Sequence, residues 1–398
     1  MGLTVFNRRA LRPAVGDGRV MNEPHRGFWP VLGGIRFLLA MWVLFDHTYN
    51  VGPAERAIPV LTKSGLMAVM CFFVISGFSI HHSIATRPDG YLRRRFLRIF
   101  PLNALAVVIG WVAWSVLGAS GGYLVPSEPP TAWQFIGCML LLEAFLPIMI
   151  SFLYPAWSLS IEAVYYLLAP PFKKLEGRPH IPAIMIASGL FFVAWPLFRN
   201  EYVAGRNSYW LTAIVMLWAW LAGWVAYKQP RDRRYLVLLG IAGLAAVATQ
   251  ARFFDVRNFG SAAVNCVAWI GTLVVVFYRI GDVGGRTAAV FDYLGEISFP
   301  LYILHYPVLF AVAGSLFRVY PNLNWGVTHV VIALGAAMLA YHWVDKPLRL
   351  SPGTGLSPRV ADQFGRLRLW ANGFAFSRRV MRTGVPGSSK VSRIELTR

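Results

Sequence analysis

The chain is poor in charge, in acidic residues and in cysteine. Only 14% of its 398 residues are charged, and 18 acidic side chains face 38 basic ones. So small a charged fraction leaves too little polar surface to cover a water-soluble globule of this size. The three cysteines, Cys71, Cys138 and Cys266, lie singly in apolar stretches. They supply neither a metal-ligand spacing nor a disulfide framework, so packing is their expected role and no metal is expected. Neither an internal repeat nor a second soluble domain is visible. A cleavable leader is not expected either, because residues 1–27 are polar and basic and the first apolar run is long enough to remain as a helix.

Apolar length is what the chain has in abundance. It is 56% hydrophobic with 15 Trp, and many runs reach the roughly 17–25 residues that a spanning helix needs. The expected fold is therefore all-α and polytopic. The net charge of +20 is concentrated in blocks between apolar runs, at 87–98, 173–178, 228–234, 279–286 and from Lys346 onward. Such blocks orient spans by the positive-inside rule and sit well against anionic lipid. No nucleic-acid reader motif accompanies the charge, so nucleic acid is not an expected partner.

With those blocks as cytoplasmic markers, spans fall near 31–50, 65–84, 99–118, 157–172, 181–198, 209–227, 235–251, 260–278, 297–316 and 326–344. That makes ten transmembrane helices with both termini cytoplasmic. The stretch 132–150 is also apolar, but a full crossing there would put Lys173 and Lys174 outside; it is read as re-entrant or buried, interrupted by Glu143 and Pro147. Three regions result: a basic cytoplasmic segment at 1–30, a membrane domain at 31–347 and a basic flexible cytoplasmic tail at 348–398.

Ionisable residues inside spans are costly and are functional candidates by default. Arg36 and His47 occupy the first apolar run eleven residues apart, about three helical turns, so they project from nearly one face. Arg95 and Arg98 share a face where the third span begins, either as a positive-inside anchor or as an anion clamp that Arg36 extends inward. Glu162 lies at a depth similar to that of His47, as the orienter of a base or as one end of a structural hydrogen bond. Ser76 and Gly77 suggest close helix packing, with a nucleophilic serine as the sharper alternative. His305 falls mid-membrane between Pro300 and Pro307, one turn beyond Tyr302, either as a neutral core histidine or lining a pathway. His81, His82, His329 and His342 lie near span ends and read as interfacial.

Six ordered segments, GIRFLLAMWVLFDH, FFVISGF, RRRFLRIFPL, AWSLSIEAVYYLLAP, LGEISFPLYILHYPVL and YHWVDKP, run from about Gly33 to Pro347. Together they resemble the integral membrane acyltransferase 3 family, which includes polysaccharide and peptidoglycan O-acetyltransferases. The resemblance implies that Arg36 and His47 are essential. It matches Arg95 and Arg98 to the family's Arg-x-x-Arg, and Trp157, Ser158, Leu159 and Glu162 to its Trp-Ser-Leu-x-x-Glu. It also implies an acyl-CoA donor, with acetyl-CoA the first choice and succinyl or longer groups as alternatives. The phosphates would be held by Arg95, Arg98 and Arg36, with His47 as general base or transient acyl carrier and Glu162 as its orienter. Ser76, Trp157, Ser158, Tyr302 and His305 are the candidates for the substrate path. The implied acceptor is a hydroxyl of a cell-surface or secreted glycan, or of a lipid-linked glycan, within reach of glycan-synthesis machinery in a bacterial inner membrane. A transporter or glycolipid flippase of the same helix count is the alternative class. Departures from the family pattern are Asp46 before the key histidine and the apolar Ala163–Val164 after the glutamate.

Overall fold

In the computed structural model, residues 24–49, 65–117, 130–146, 151–199, 209–251, 259–320 and 325–350 are described, and among them the regular structure is entirely helical. The helices are α1 (Phe28–Tyr49), α2 (Gly65–Thr86), α3 (Tyr91–Leu117), α4 (Ala132–Met139), α5 (Ala156–Lys174), α6 (His180–Arg199), α7 (Tyr209–Val215), α8 (Leu217–Lys228), α9 (Arg233–Ala251), α10 (Phe259–Tyr278), α11 (Gly285–Val319), α12 (Trp325–Ala340) and α13 (Lys346–Leu350). A 3₁₀ turn at Ser151–Leu153 leads into α5, and a π-helical turn at Tyr341–Asp345 joins α12 to α13. Each of the ten expected segments is thus helical, the sixth as α7 and α8 in series. Among the described residues, six helical stretches are long and apolar enough to cross a membrane: Phe28–Thr48, Gly65–Thr86, Tyr91–Leu117, Leu211–Lys228, Gly285–Val312 and Gly326–Arg349. The basic segment 1–23 and the tail 351–398 lie outside the described residues.

The outer surface shows what solvent this bundle expects. Val108, Val112 and Val116 recur every four residues on α3 and are 43%, 53% and 77% exposed. On α12, Val327 and Val331 are 61% and 62% exposed, and Leu339, two further steps of four along the same face, is 58% exposed. Repetition at i, i+4 and i+8 makes a continuous apolar stripe on one helix face, which lipid covers at no cost and water does not. The protein is a multi-pass membrane protein on this ground.

Close helix approaches set the geometry of the core. A Cβ on Gly77 would stand 1.9 Å from the carbonyl oxygen of Trp220, and one on Gly223 only 1.8 Å from that of Val74, so α2 and α8 touch backbone to backbone. At Gly33 and Gly295 the same happens between α1 and α11, where a Cβ on Gly295 would lie 2.5 Å from the Cα of Gly33. Small residues permit such contact, as the sequence suggests for Ser76–Gly77. The α1–α11 contact runs on upward, so that two helices far apart in the chain present their later turns to each other.

The segment after α3 is a short helix rather than a long one. Thr131 caps α4 in a capping box with Gln134, and the chain turns at Leu140 after eight helical residues. Glu143 lies in this turn, buried, and its Oε2 accepts a hydrogen bond of 2.6 Å from Ser160 on α5. The last four residues of the expected 132–150 segment lie outside the described residues. Pro300 and Pro307 do not end their helix: α11 runs unbroken through 35 residues.

Candidate active site

One cavity of about 100 Å³ collects most of the candidate residues. Arg36 from α1, Ser76 from α2, Arg95 and Arg98 from α3, Ser158 and Glu162 from α5 and Tyr302 from α11 all line it. Trp157 does not; it packs half-buried against the core. The volume suits a few waters or a slender chain rather than a bulky ring system.

The three guanidinium groups give one part of this cavity the chemistry of an anion site. Among the described residues none of them has a carboxylate within 4.0 Å. The Nε atoms of Arg36 and Arg95 are buried without a hydrogen-bond partner. Arg95 lies 5.6 Å from the ring centres of both Tyr91 and Tyr166, and Arg98 lies 5.4 Å from that of Phe299, so aromatic faces hold the cations in place. Half-buried positive charges around one void, two of them with a buried and unused Nε donor, are costly until an anion joins them.

Glu162 stands beside this group. Its Oε1 accepts hydrogen bonds of 2.7 Å from both Ser76 and Tyr166. It does not meet His47, contrary to the expectation that it orients the histidine. The reason is depth. Ser158, one turn before Glu162, shares a 2.7 Å hydroxyl contact with Tyr302, while His305 lies one turn beyond Tyr302 in the opposite direction. The glutamate and the histidine layer are therefore roughly 10 Å apart by helical rise.

His47 pairs instead with His305: its Nδ1 lies 2.8 Å from Nε2 of His305, with the rings nearly parallel at 9°. The partners on the far side of His305 decide where the protons are. Its Nδ1 faces the carbonyl oxygens of Tyr302 at 2.7 Å and Leu301 at 3.2 Å, which can only accept. His305 thus carries its proton on Nδ1 and offers a lone pair at Nε2. His47 must then donate from Nδ1, which leaves the lone pair on its own Nε2. His329 adds a third imidazole, with Nε2 at 3.3 Å from the carbonyl of His305. Tyr302 is the bridge between the layers, since its hydroxyl belongs to the cavity wall and its carbonyl fixes His305.

Two further clusters were not foreseen. Arg349 donates to both Glu296 and Asp345, the latter at 2.6 Å, and so ties α13 and the π-turn to α11. At the basic ends of α2, α5 and α8, Glu176 accepts from His81 at 3.1 Å, Lys228 at 3.2 Å and Lys173. The His81 hydrogen bond first, and Lys173 after it, hold the Glu176 carboxyl well below the usual carboxylate range despite its partial burial. His81 and His329 are 1% and 0% exposed, so they are core residues rather than interfacial ones. Both lie near helix ends, which misled the linear reading; each is covered by a neighbouring helix. His342 is exposed, as expected.

Comparison with known proteins gives this arrangement a context. The chain is 26% identical over 318 residues to "Acyltransferase MdmB" of Streptomyces mycarofaciens, covering 70% of this chain and 79% of that protein. It is 23% identical over 368 residues to "Peptidoglycan O-acetyltransferase OatA" of Listeria monocytogenes serovar 1/2a, covering 81% of this chain but only 56% of that protein. No solved structure matches. The acyltransferase domain family matches residues 30–343, a range that holds every residue lining the cavity and both members of the histidine pair. The chain belongs to the acyltransferase domain family and is an acyltransferase.

Proposed function

We propose that this protein moves an acyl group, acetyl by first choice, from cytoplasmic acyl-CoA to a hydroxyl of a cell-surface or secreted glycan, across a bacterial inner membrane. The observation that carries the reading is the one cavity in which Arg36, Arg95 and Arg98, with no carboxylate partner among the described residues, lie below Tyr302, whose carbonyl anchors the His305–His47 pair. The arginines fit the phosphates of the donor, which enter from the basic side, and the narrow cavity fits its extended arm.

His47 acts on the other side of this layer. Its Nε2 lone pair takes the proton of the acceptor hydroxyl as the oxygen attacks the thioester carbonyl. The new C–O bond forms, the C–S bond breaks, and the imidazolium returns its proton to the departing thiolate. The imidazolium is stabilised through Nδ1–H donated to neutral His305. A transient acyl group on His47 is the covalent variant of the same step. Glu162, bonded to Ser76 and Tyr166, shapes the cavity wall beside the arginines instead of orienting the base.

Ten crossings with both termini cytoplasmic complete the proposal. They place Arg95, Lys173, Lys228 and Arg279 on the donor side, and His47 near the acceptor side. Transfer of radiolabelled acetyl from acetyl-CoA to extractable glycan, in membranes carrying the wild type, His47→Ala or Arg95→Ala with Arg98→Ala, tests it. His47→Ala lowers turnover by about 10²–10⁴. The double arginine variant raises the KM for acetyl-CoA. Equal labelling by the wild type and His47→Ala refutes the catalytic role of the histidine.

A further inference from the structure

On the acceptor side of His47 lies a pair of tyrosines that the reaction so far does not use. Tyr154 follows the 3₁₀ turn at Ser151–Leu153 and immediately precedes α5, and Tyr306 follows His305 on α11. The imidazole of His47 stands at 89° to both rings, with centres 6.1 Å from Tyr154 and 5.0 Å from Tyr306. The two tyrosine rings are 6.2 Å apart and inclined at 36°. Exposure falls in steps towards the base: Tyr154 is 42% exposed, Tyr306 8% and His47 7%.

We propose that Tyr154, backed by Tyr306, is the acceptor subsite and stacks against the apolar face of the glycosyl ring whose hydroxyl is acylated. A pyranose presents a C–H face and a rim of hydroxyls. A tyrosine wall matches both, with an aromatic face for the first and a phenolic tip for the second. A ring held against Tyr154 has one edge directed at His47, so the platform selects which hydroxyl reaches Nε2. Among the described residues the ring contacts of His47 are Tyr154, Tyr306 and His305.

This rests on the acyl-transfer reading, and the experiment separates the two. Wild type, Tyr154→Phe and Tyr154→Ala, purified into nanodiscs, are given radiolabelled acetyl-CoA and a soluble N-acetylglucosamine tetramer as acceptor. Tyr154→Ala is expected to raise the KM for the tetramer about tenfold, with the KM for acetyl-CoA and the turnover at saturation within about twofold of wild type; Tyr154→Phe restores most of the affinity. An acceptor KM in Tyr154→Ala within twofold of wild type overturns the subsite and leaves Tyr154 as a membrane-interface aromatic. Parallel rises in both KM values assign it a structural role and overturn the subsite equally. A wild type that labels no tetramer refutes the glycosyl acceptor, and with it the function on which the subsite rests.

Discussion

The tautomer of His47 is set by hydrogen bonds made on the far side of its partner, His305. The carbonyls of Leu301 and Tyr302 fix the tautomer of His305, and His305 fixes that of His47. A residue that acts in this way can be replaced by any group that accepts from Nδ1 at the same place. His305→Gln, whose amide oxygen reaches the position of the lost Nε2, should retain part of the activity, whereas His305→Leu should lower turnover at least about tenfold while leaving the KM for acetyl-CoA unchanged. Steady-state kinetics of the two variants beside His47→Ala check this, and equal loss in Gln and Leu variants would show that only the volume of His305 matters. Residue identity was largely legible in the chain. Arg36, Arg95, Arg98, Ser76, Glu162, Tyr302 and His305 stand out as ionisable or polar groups in or beside apolar runs and Ser158 through its family motif, and all but His305 line one cavity. Pairing was not legible, because the partner of His47 is 258 residues away and helical rise alone made Glu162 look equally deep.

Among the elements, α2 shows how one residue without a side chain sets the site. Gly77 lets α8 approach until the Trp220 carbonyl occupies the space of a Cβ, and this holds the neighbouring Ser76 at the cavity wall facing Glu162. Alanine is the better helix former by about 1 kcal/mol, so in an exposed helix Gly77→Ala would stabilise. Here a contact of 1.9 Å to backbone must be relieved by parting two helices. Overpacking of that kind costs at least about 1–3 kcal/mol, and it decides the sign. Gly77→Ala is expected to lower the thermal midpoint of the detergent-solubilised protein and its acyl transfer together, whereas Gly271→Ala, which meets no atom within 4 Å, raises the midpoint slightly and leaves transfer unchanged. Light-scattering or fluorescence melting of the purified variants checks this.

For the whole molecule, the basic ends of α2, α5 and α8 are joined through one carboxylate. Glu176 is ionised more readily in the fold than in the unfolded chain, because its donors hold the charged form. A depressed carboxyl contributes stability above its ordinary value of 4.5, and that contribution is lost as the pH falls below it. The wild type is therefore expected to lose thermal stability between about pH 5 and pH 3 more steeply than Glu176→Gln, which starts lower at neutral pH and has no such titration. Melting curves across that range, at constant salt, test the difference; identical slopes would show that the cluster contributes nothing to the bundle.

The sequence by itself determined the solvent, the class of secondary structure and the sites of unusual chemistry. Apolar runs of spanning length can only be satisfied as helices in lipid, and a charge within such a run is too costly to be idle. Only the tertiary structure decided which of those groups meet. Helix periodicity assigns a face and a depth along one axis, while contact depends on the separation and tilt of two axes, set here by glycines that bring α1 against α11 and α2 against α8. The His47–His305 pair arises across the α1–α11 contact, and the Arg349–Glu296 and His81–Glu176 pairs likewise join distant parts of the chain. They join residues whose separation in the chain carries no signal of their closeness in space.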